Sequence, residues 1–404
     1  MSATNDKPAA SKPKRRRGPI KKLLLTFCTF LFVVIFIEGL FSTVHFVHTF
    51  ISKSKSPVAE HSHTDYDADL GWAPIKGLKV EDGYGPGVPI HINDQGFRAD
   101  KEYTPKPADG KVRVVAIGDS FTFGHDVAND HTWPAYVEKL DPRFEVINVG
   151  LGGYGVDQIY LRHERDAKSF DRDFLVFAFI MEDFGRAQHD SFNGYGKPTL
   201  ALENGELVVR NQPVPRRGYI RAWLNQNGYL LRESRTVHVT SQIWNKLTSA
   251  SDAQVATTSG NESFKAVLKK MWSDMDKAER ARGSRLILAF IPAQRDYGPF
   301  EATDHWRAFV KETAAELDVP FFDMVEAFRA VPAGQVPSHF VDPVTGETIY
   351  HRGNKGNQWL AEQFLQRLAP MVEPAAGGNP EGVRSWRFSD LPRRNGRTNR
   401  ADVS

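Results

Sequence analysis

The apolar run Val112 to Ile117 ends in Gly118, Asp119 and Ser120. A serine directly after a strand sits at the strand's C-terminal mouth, where open α/β sheets build their sites. Its hydroxyl is a weak nucleophile until a neighbouring base takes the proton. Backbone N–H groups of the turn that follows can face a developing oxyanion. Acyl transfer through Ser120 is the chemistry this pattern points to; the competing role is a helix N-cap or strand-end turn. Other chemistry-bearing residues form weaker patterns. His61 and His63 with Asp65 and Asp67 have metal-ligand types but lie in a polar stretch, and His45 and His48 read as residues at a membrane edge. The single Cys28 gives neither an intramolecular disulfide nor a cysteine metal site, and no cofactor or metal is called for.

The elements that must position Ser120 are legible in the hydrophobic pattern. Strands are expected at Val112–Ile117, Phe144–Asn148, Phe174–Ile180, Arg285–Ile291 and Pro320–Phe322. Helices are expected at Trp133–Leu140, Val156–Ser169, Phe264–Arg282, His305–Leu317 and Asn354–Leu368. Strands alternating with helices of this length predict a parallel sheet covered on both faces. One insertion, 190–262, breaks the alternation. It opens with a hairpin, Thr199–Val209, turning at Asn204 and Gly205. A helical piece over Tyr219–Leu247 and a Ser/Thr/Ala-rich loop at 248–262 follow, in a position where α/β folds build substrate lids.

Three blocks in order carry a resemblance. Gly118-Asp119-Ser120-Phe121 resembles the first block of the SGNH/GDSL hydrolase superfamily. Asn148-Val149-Gly150 through Gln158 resembles the second, and His351-Arg352-Gly353 through Gly356 resembles the last. The likeness runs from about Ile90 to Leu368. It implies a three-layer α/β/α fold with a parallel five-stranded sheet, flavodoxin-like, and activity on esters that include acetyl groups on carbohydrates. It also implies that Ser120 is the nucleophile, His351 its base, and Gly153 an oxyanion donor. Asn93 to Arg98 resembles a segment found upstream of the first block in membrane-attached members, where packing or a turn is the expected role.

Two positions depart from the pattern. The superfamily places an aspartate three residues before the histidine; here that residue is Thr348, which cannot offset an imidazolium charge. Asp342 and Glu347 are the nearest acids. Where the superfamily has an oxyanion-binding asparagine, this chain has Glu182, whose charge would repel an oxyanion. Glu182 is accordingly either kept protonated by burial, turned away, or given another task, for example as the acid that position 348 lacks.

Charge and hydropathy set the surroundings. Residues 23–37 are uninterruptedly apolar, and with Glu38 and the residues to Val47 they are long enough for a transmembrane helix. Glu38 lies where an acid is either functional or snorkels to the outer interface. Residues 1–22 carry eight Lys/Arg against Asp6 alone, which predicts a cytoplasmic N-terminus and a domain outside, in the periplasm or the extracellular space. A cleaved signal peptide is the competing reading. Net charge is +3, but the two tails hold more than that excess, so the folded part is acidic and no nucleic-acid partner is expected. The domain plan is then a basic tail (1–22), a span (23–47), a linker and lead-in (48–85), the hydrolase-like domain (86–372) and an unfolded tail (373–404). Asn261-Glu262-Ser263 matches a glycosylation sequon.

Two functional readings follow. One is a serine esterase or O-acetyltransferase at the cytoplasmic membrane, acting outside it on an acylated small molecule or glycan. The other is a catalytically degenerate relative whose cleft binds polysaccharide or a protein partner; Thr348 and Glu182 favour it.

Overall fold

The computed structural model describes residues 18–234, 237, 240 and 262–372. The basic run up to Arg17, the tail from Glu373, the sequon at Asn261, most of the loop at 248–262 and most of the helical piece beyond Ser234 lie outside the described residues. The chain divides into two compact units, residues 1–55 with 224–250 and residues 56–223 with 251–404. The first unit is built on helix α1 (Pro19–Lys53), apolar enough over Lys21–Lys53 to cross a membrane. The Asn227 side-chain amide closes on the helix exit, accepting from the Lys55 N–H (2.6 Å) and donating to its carbonyl (2.8 Å).

The second unit contains a five-stranded sheet: β1 (Val112–Ile117), β2 (Phe144–Asn148), β3 (Phe174–Phe179), β4 (Arg285–Phe290) and β5 (Phe321–Asp323). All pairings are parallel and the spatial order is β2-β1-β3-β4-β5. These strands are continuous apolar runs because both faces are covered. Val115, Ile117, Phe177 and Leu288 point to one layer, which holds α4 (Val156–Arg162), α6 (Glu262–Ala281) and α7 (Glu301–Leu317). Their neighbours Val114, Ala116, Val176 and Ala289 point to the other, which holds α3 (Trp133–Leu140) and α8 (Asn354–Val372). Helix α3 starts where its sequence allows: Thr132 accepts from the Ala135 N–H (3.3 Å) and Pro134 occupies the first turn. Trp133 then stacks on Phe364 of α8 at 4.2 Å, joining the two helices of that layer. Both rings are fully buried, and burial of an aromatic of this size stabilises by roughly 1.5–3 kcal/mol.

The lead-in differs from expectation. Residues 56–85 are not a linker. Thr64–Asp67 and Gly71–Pro74 pair as a hairpin, and Ala59, Leu70 and Trp72 are fully buried in the main core. The Tyr154 hydroxyl donates to the Trp72 carbonyl (2.6 Å), and the Gln158 amide donates to that of Leu70 (2.7 Å). The insertion begins with a short antiparallel pair, Ser191–Phe192 with Tyr195–Gly196, and the hairpin read from sequence follows as Thr199–Glu203 with Glu206–Arg210. Within it, the buried Lys197 pairs with the buried Asp157 of α4.

Candidate active site

Order β2-β1-β3 makes the C-terminal end of β1 the point where the connections diverge, which is where such sheets bind ligands. Ser120 is the first residue of the four-residue helix α2 (Ser120–Phe123) at that point. Asp119 fixes the helix start by accepting from the Phe121 N–H at 2.9 Å. Gly124 ends it in the left-handed region, φ +81°, and the N–H groups of Gly124 and His125 both return to the Ser120 carbonyl at 3.0 Å. A side chain at Gly124 would be strained there. The turn folds the chain back on the nucleophile candidate, and Asp126 follows at φ +68°.

The consequence is a hydrogen-bonded line of three side chains. Ser120 Oγ lies 3.0 Å from His351 Nε2, and His351 Nδ1 lies 2.9 Å from Asp126 Oδ2. With the carboxylate on Nδ1, that nitrogen holds the proton and Nε2 is left to accept one from the serine. Ser120 is buried, and His351 and Asp126 are 17% and 27% exposed, so the line opens to solvent at its far end. Phe121 and Tyr350 pack edge-on against the His351 ring at 5.3 and 5.1 Å.

The second block runs beside this line. Leu151 N–H donates to the Gly118 carbonyl (3.0 Å), and Trp72 Nε1 donates to that of Gly152 (2.9 Å). A Cβ on Gly152 would stand 3.9 Å from Ser120 Cβ, so the loop passes directly over the nucleophile candidate. Gly153 has φ +79°, and a Cβ there would meet Phe192 at 3.0 Å.

The acids proposed from sequence for His351 are elsewhere. Asp342 caps its own turn, accepting from the Val344 and Thr345 N–H groups at 2.8 Å each. Thr348 forms a bridge with Val341, and Glu347 is exposed. The strand-like closure of 341–348 turns these side chains to the turn or to solvent. Glu182 sits on α5 (Met181–Arg186), where its carboxylate accepts from the Tyr350 hydroxyl (2.5 Å) and pairs with Arg295. Burial pushes the Tyr350 hydroxyl up to about 12, so it stays a donor to Glu182. Behind Ser120, Arg186 reaches Asp119 (3.4 Å), Asp183 (2.6 Å) and the Tyr154 carbonyl (3.1 Å).

Asp126, the carboxylate that meets His351, is one residue that reading the sequence missed. Its only signal is a glycine just after the nucleophile helix followed by His-Asp, a pair that tolerates left-handed backbone. His125 was missed as well. Its ring packs 4.7 Å from that of His351, and its Nδ1 meets the Tyr84 hydroxyl at 2.8 Å. Burial holds His125 well below its ordinary range, as does the neighbouring His351. His61 and His63, expected in a linker, instead lie in this cluster; His63 is buried and stacks on Phe123 at 5.0 Å. Among the described residues, His125, Asp126 and His351 are the group whose ligand atoms, within 4.8 Å of one another, would suit a cation.

Residues 116–359 match the GDSL-like lipase/acylhydrolase family. This span exceeds half the chain and contains all three members of the hydrogen-bonded line, and the chain belongs to that family, within the SGNH hydrolases. Among solved structures, the chain is similar to the lipase/acylhydrolase from Enterococcus faecalis, with 15% identity over 65% of this chain and 98% of that one and a TM-score of 0.37. It is also similar to the acetyl xylan esterase AlAXEase (15% identity, 64% and 100% of the two chains, TM-score 0.36). A third is the two-domain esterase CEX, active on acetylated mannans (14% identity, 66% and 52%, TM-score 0.37). No curated protein matches the sequence.

Proposed function

We propose that this chain is a serine esterase or acyltransferase in which Ser120, His351 and Asp126 form the catalytic line. The observation that carries the reading is the continuous pair of hydrogen bonds, 3.0 and 2.9 Å, from Ser120 Oγ through His351 to Asp126. Ser120 Oγ attacks the acyl carbon while its proton passes to His351 Nε2. Asp126 stabilises the imidazolium so formed. The N–H groups of Ser120 and Gly153 are the proposed oxyanion donors. His351 then gives its proton to the departing alkoxide, leaving an acyl-serine that water or an acceptor hydroxyl resolves. Glu182 does not present a bare charge to this centre, because Arg295 and Tyr350 hold it.

The substrate proposed is an acetyl ester, with a cell-envelope glycan as the favoured carrier. That preference rests on the range of the family and on α1, whose basic flank supports a cytoplasmic N-terminus and a catalytic domain outside the membrane. Thr348 and Glu182 favour a binding-only protein; the Asp126 carboxylate, which meets His351 from another loop, supports the catalytic reading instead.

The test uses the full chain in detergent. A fluorophosphonate probe should label the wild type at Ser120 and not Ser120→Ala, and acetyl ester hydrolysis should vanish in the same variant. Adding a sugar acceptor separates transfer from hydrolysis. Absence of both labelling and turnover in the wild type refutes the reading.

A further inference from the structure

Arg98 is buried, and none of its hydrogen bonds goes to a carboxylate. Its Nη1 donates to the carbonyls of Gly124 (2.6 Å) and Phe123 (3.3 Å), and its Nη2 donates to those of Val127 (2.5 Å) and Pro89 (3.3 Å). Its Nε donates to Asn129 Oδ1 at 2.9 Å. The guanidinium lies 4.5 Å from the centre of the Phe123 ring and 5.5 Å from that of Tyr84. A fork of this shape fixes planar acceptors in a way a lysine cannot.

What the fork grips is the turn that follows the nucleophile helix. Gly124 and Val127 flank His125 and Asp126 on either side, and both carbonyls are held at 2.6 Å or less. Asp126 is a left-handed non-glycine residue, an uncommon conformation that aspartate adopts more readily than most side chains. The same arginine lies against Tyr84, whose hydroxyl holds His125. Burying an arginine among carbonyls is costly, and burial pushes Arg98 down to about 10. A simple core position would be cheaper to fill with an apolar side chain.

We propose that Arg98 is a positioning residue of the reaction, which holds the backbone on both sides of Asp126 so that its carboxylate meets His351 Nδ1. The inference rests on the catalytic reading of Ser120, His351 and Asp126. It gives the Asn93–Arg98 segment a role beyond a turn: Asn93 accepts from the Gln95 and Phe97 N–H groups (3.1 and 2.8 Å) and so sets where Arg98 enters the core.

A double-mutant cycle on the full chain in detergent tests this. Arg98→Lys keeps the charge and loses the fork. It should lower kcat for an acetyl ester by about 100-fold, with KM within about threefold, because ångström-scale misplacement of a catalytic group costs that much. In an Asp126→Asn background the same substitution should cost under about threefold, since the group it positions is already disabled. A merely structural role would give equal factors in both backgrounds, and that result, or an unchanged kcat in Arg98→Lys, overturns the proposal. If Arg98→Lys does not yield folded protein, Asn129→Ala removes the acceptor at Nε together with the Asn129 bonds to His91 and Asp100, with about a tenfold loss expected in the wild type only; equal factors in both backgrounds would again overturn the proposal. A wild type that neither turns over the ester nor takes the fluorophosphonate removes the catalytic reading and this inference together. An active wild type with an additive cycle removes this inference alone.

Discussion

Replacing Asp126 by asparagine keeps the side-chain volume and deletes the charge. In the reaction His351 becomes an imidazolium whose Nδ1 is 2.9 Å from Asp126 Oδ2, with charge centres about 4 Å apart. At an effective dielectric of about 20 that pair is worth ~4 kcal/mol. Asp126 and His351 are 27% and 17% exposed, so solvent screening roughly halves the figure, to ~2 kcal/mol. At about 1.36 kcal/mol per factor of ten, the loss of charge alone predicts a fall in kcat between roughly 30-fold and 1000-fold. The asparagine amide adds a second effect. If its N–H turns to Nδ1, the imidazole proton moves to Nε2, and the nitrogen facing Ser120 can no longer accept. Asp126→Asn should therefore lie at or beyond the upper end of that range and Asp126→Ala nearer the lower, with KM little changed in either. The assay is steady-state hydrolysis of p-nitrophenyl acetate together with the rate of fluorophosphonate labelling at Ser120. Asp342→Asn and Glu347→Gln serve as controls. An Asp126→Asn enzyme within about threefold of wild type, or a larger loss in either control, refutes the assignment of the acid.

Gly153→Ala places a side chain at φ +79° and a Cβ 3.0 Å from Phe192, so kcat should fall by about tenfold or more while Ser120 remains labelled, as kinetics and probe labelling can compare. Trp72→Ala should cost about 3–5 kcal/mol in a denaturation experiment, and a chain starting at residue 86 should fail to fold, because the lead-in hairpin completes the main core. Stability should decline on acidification. Burial holds His63 well below its ordinary range and His339 at about 4, so below pH 6.5 the unfolded chain takes up protons that the folded chain refuses. Each contributes up to about 1.4 kcal/mol per pH unit, lost between pH 6.5 and its folded value; denaturation midpoints from pH 7 to pH 5 should fall, less steeply in His63→Gln, and a rise would contradict the argument.

The sheet was legible because its physics is local. Buried parallel strands are unbroken apolar runs, and the helices that cover them carry one apolar face, so the boundaries at Val112–Ile117, Phe144–Asn148 and Trp133–Leu140 follow from periodicity. The lead-in was not legible because its anchoring is distant. Residues 56–70 are mostly polar, and the hairpin is held by partners some 80 residues on: Tyr154 on the Trp72 carbonyl and Gln158 on that of Leu70. Composition alone cannot distinguish a polar segment whose backbone is satisfied by a remote side chain from one that is solvated.

Asp126, the proposed acid, escaped the sequence for a related reason, and its position changes what the site demands of the fold. In the superfamily pattern the acid and base share one loop, so a single segment orients the imidazole. Here the loop before His351 has closed on itself, with Asp342 spent on its own turn and Thr348 bridged to Val341. The carboxylate comes instead from six residues after Ser120, through two left-handed residues, Gly124 and Asp126. Ser120 and Asp126 thus belong to one turn tied to the Ser120 carbonyl, and His351 approaches that turn from the opposite loop. Small shifts of the His351 loop then change both hydrogen bonds of the line together, whereas loosening of residues 123–127 disturbs serine and acid at once. The buried investment is where this division requires it, with Arg98 on the turn and Arg352, enclosed by Phe328, Phe340 and Trp359, beside the histidine.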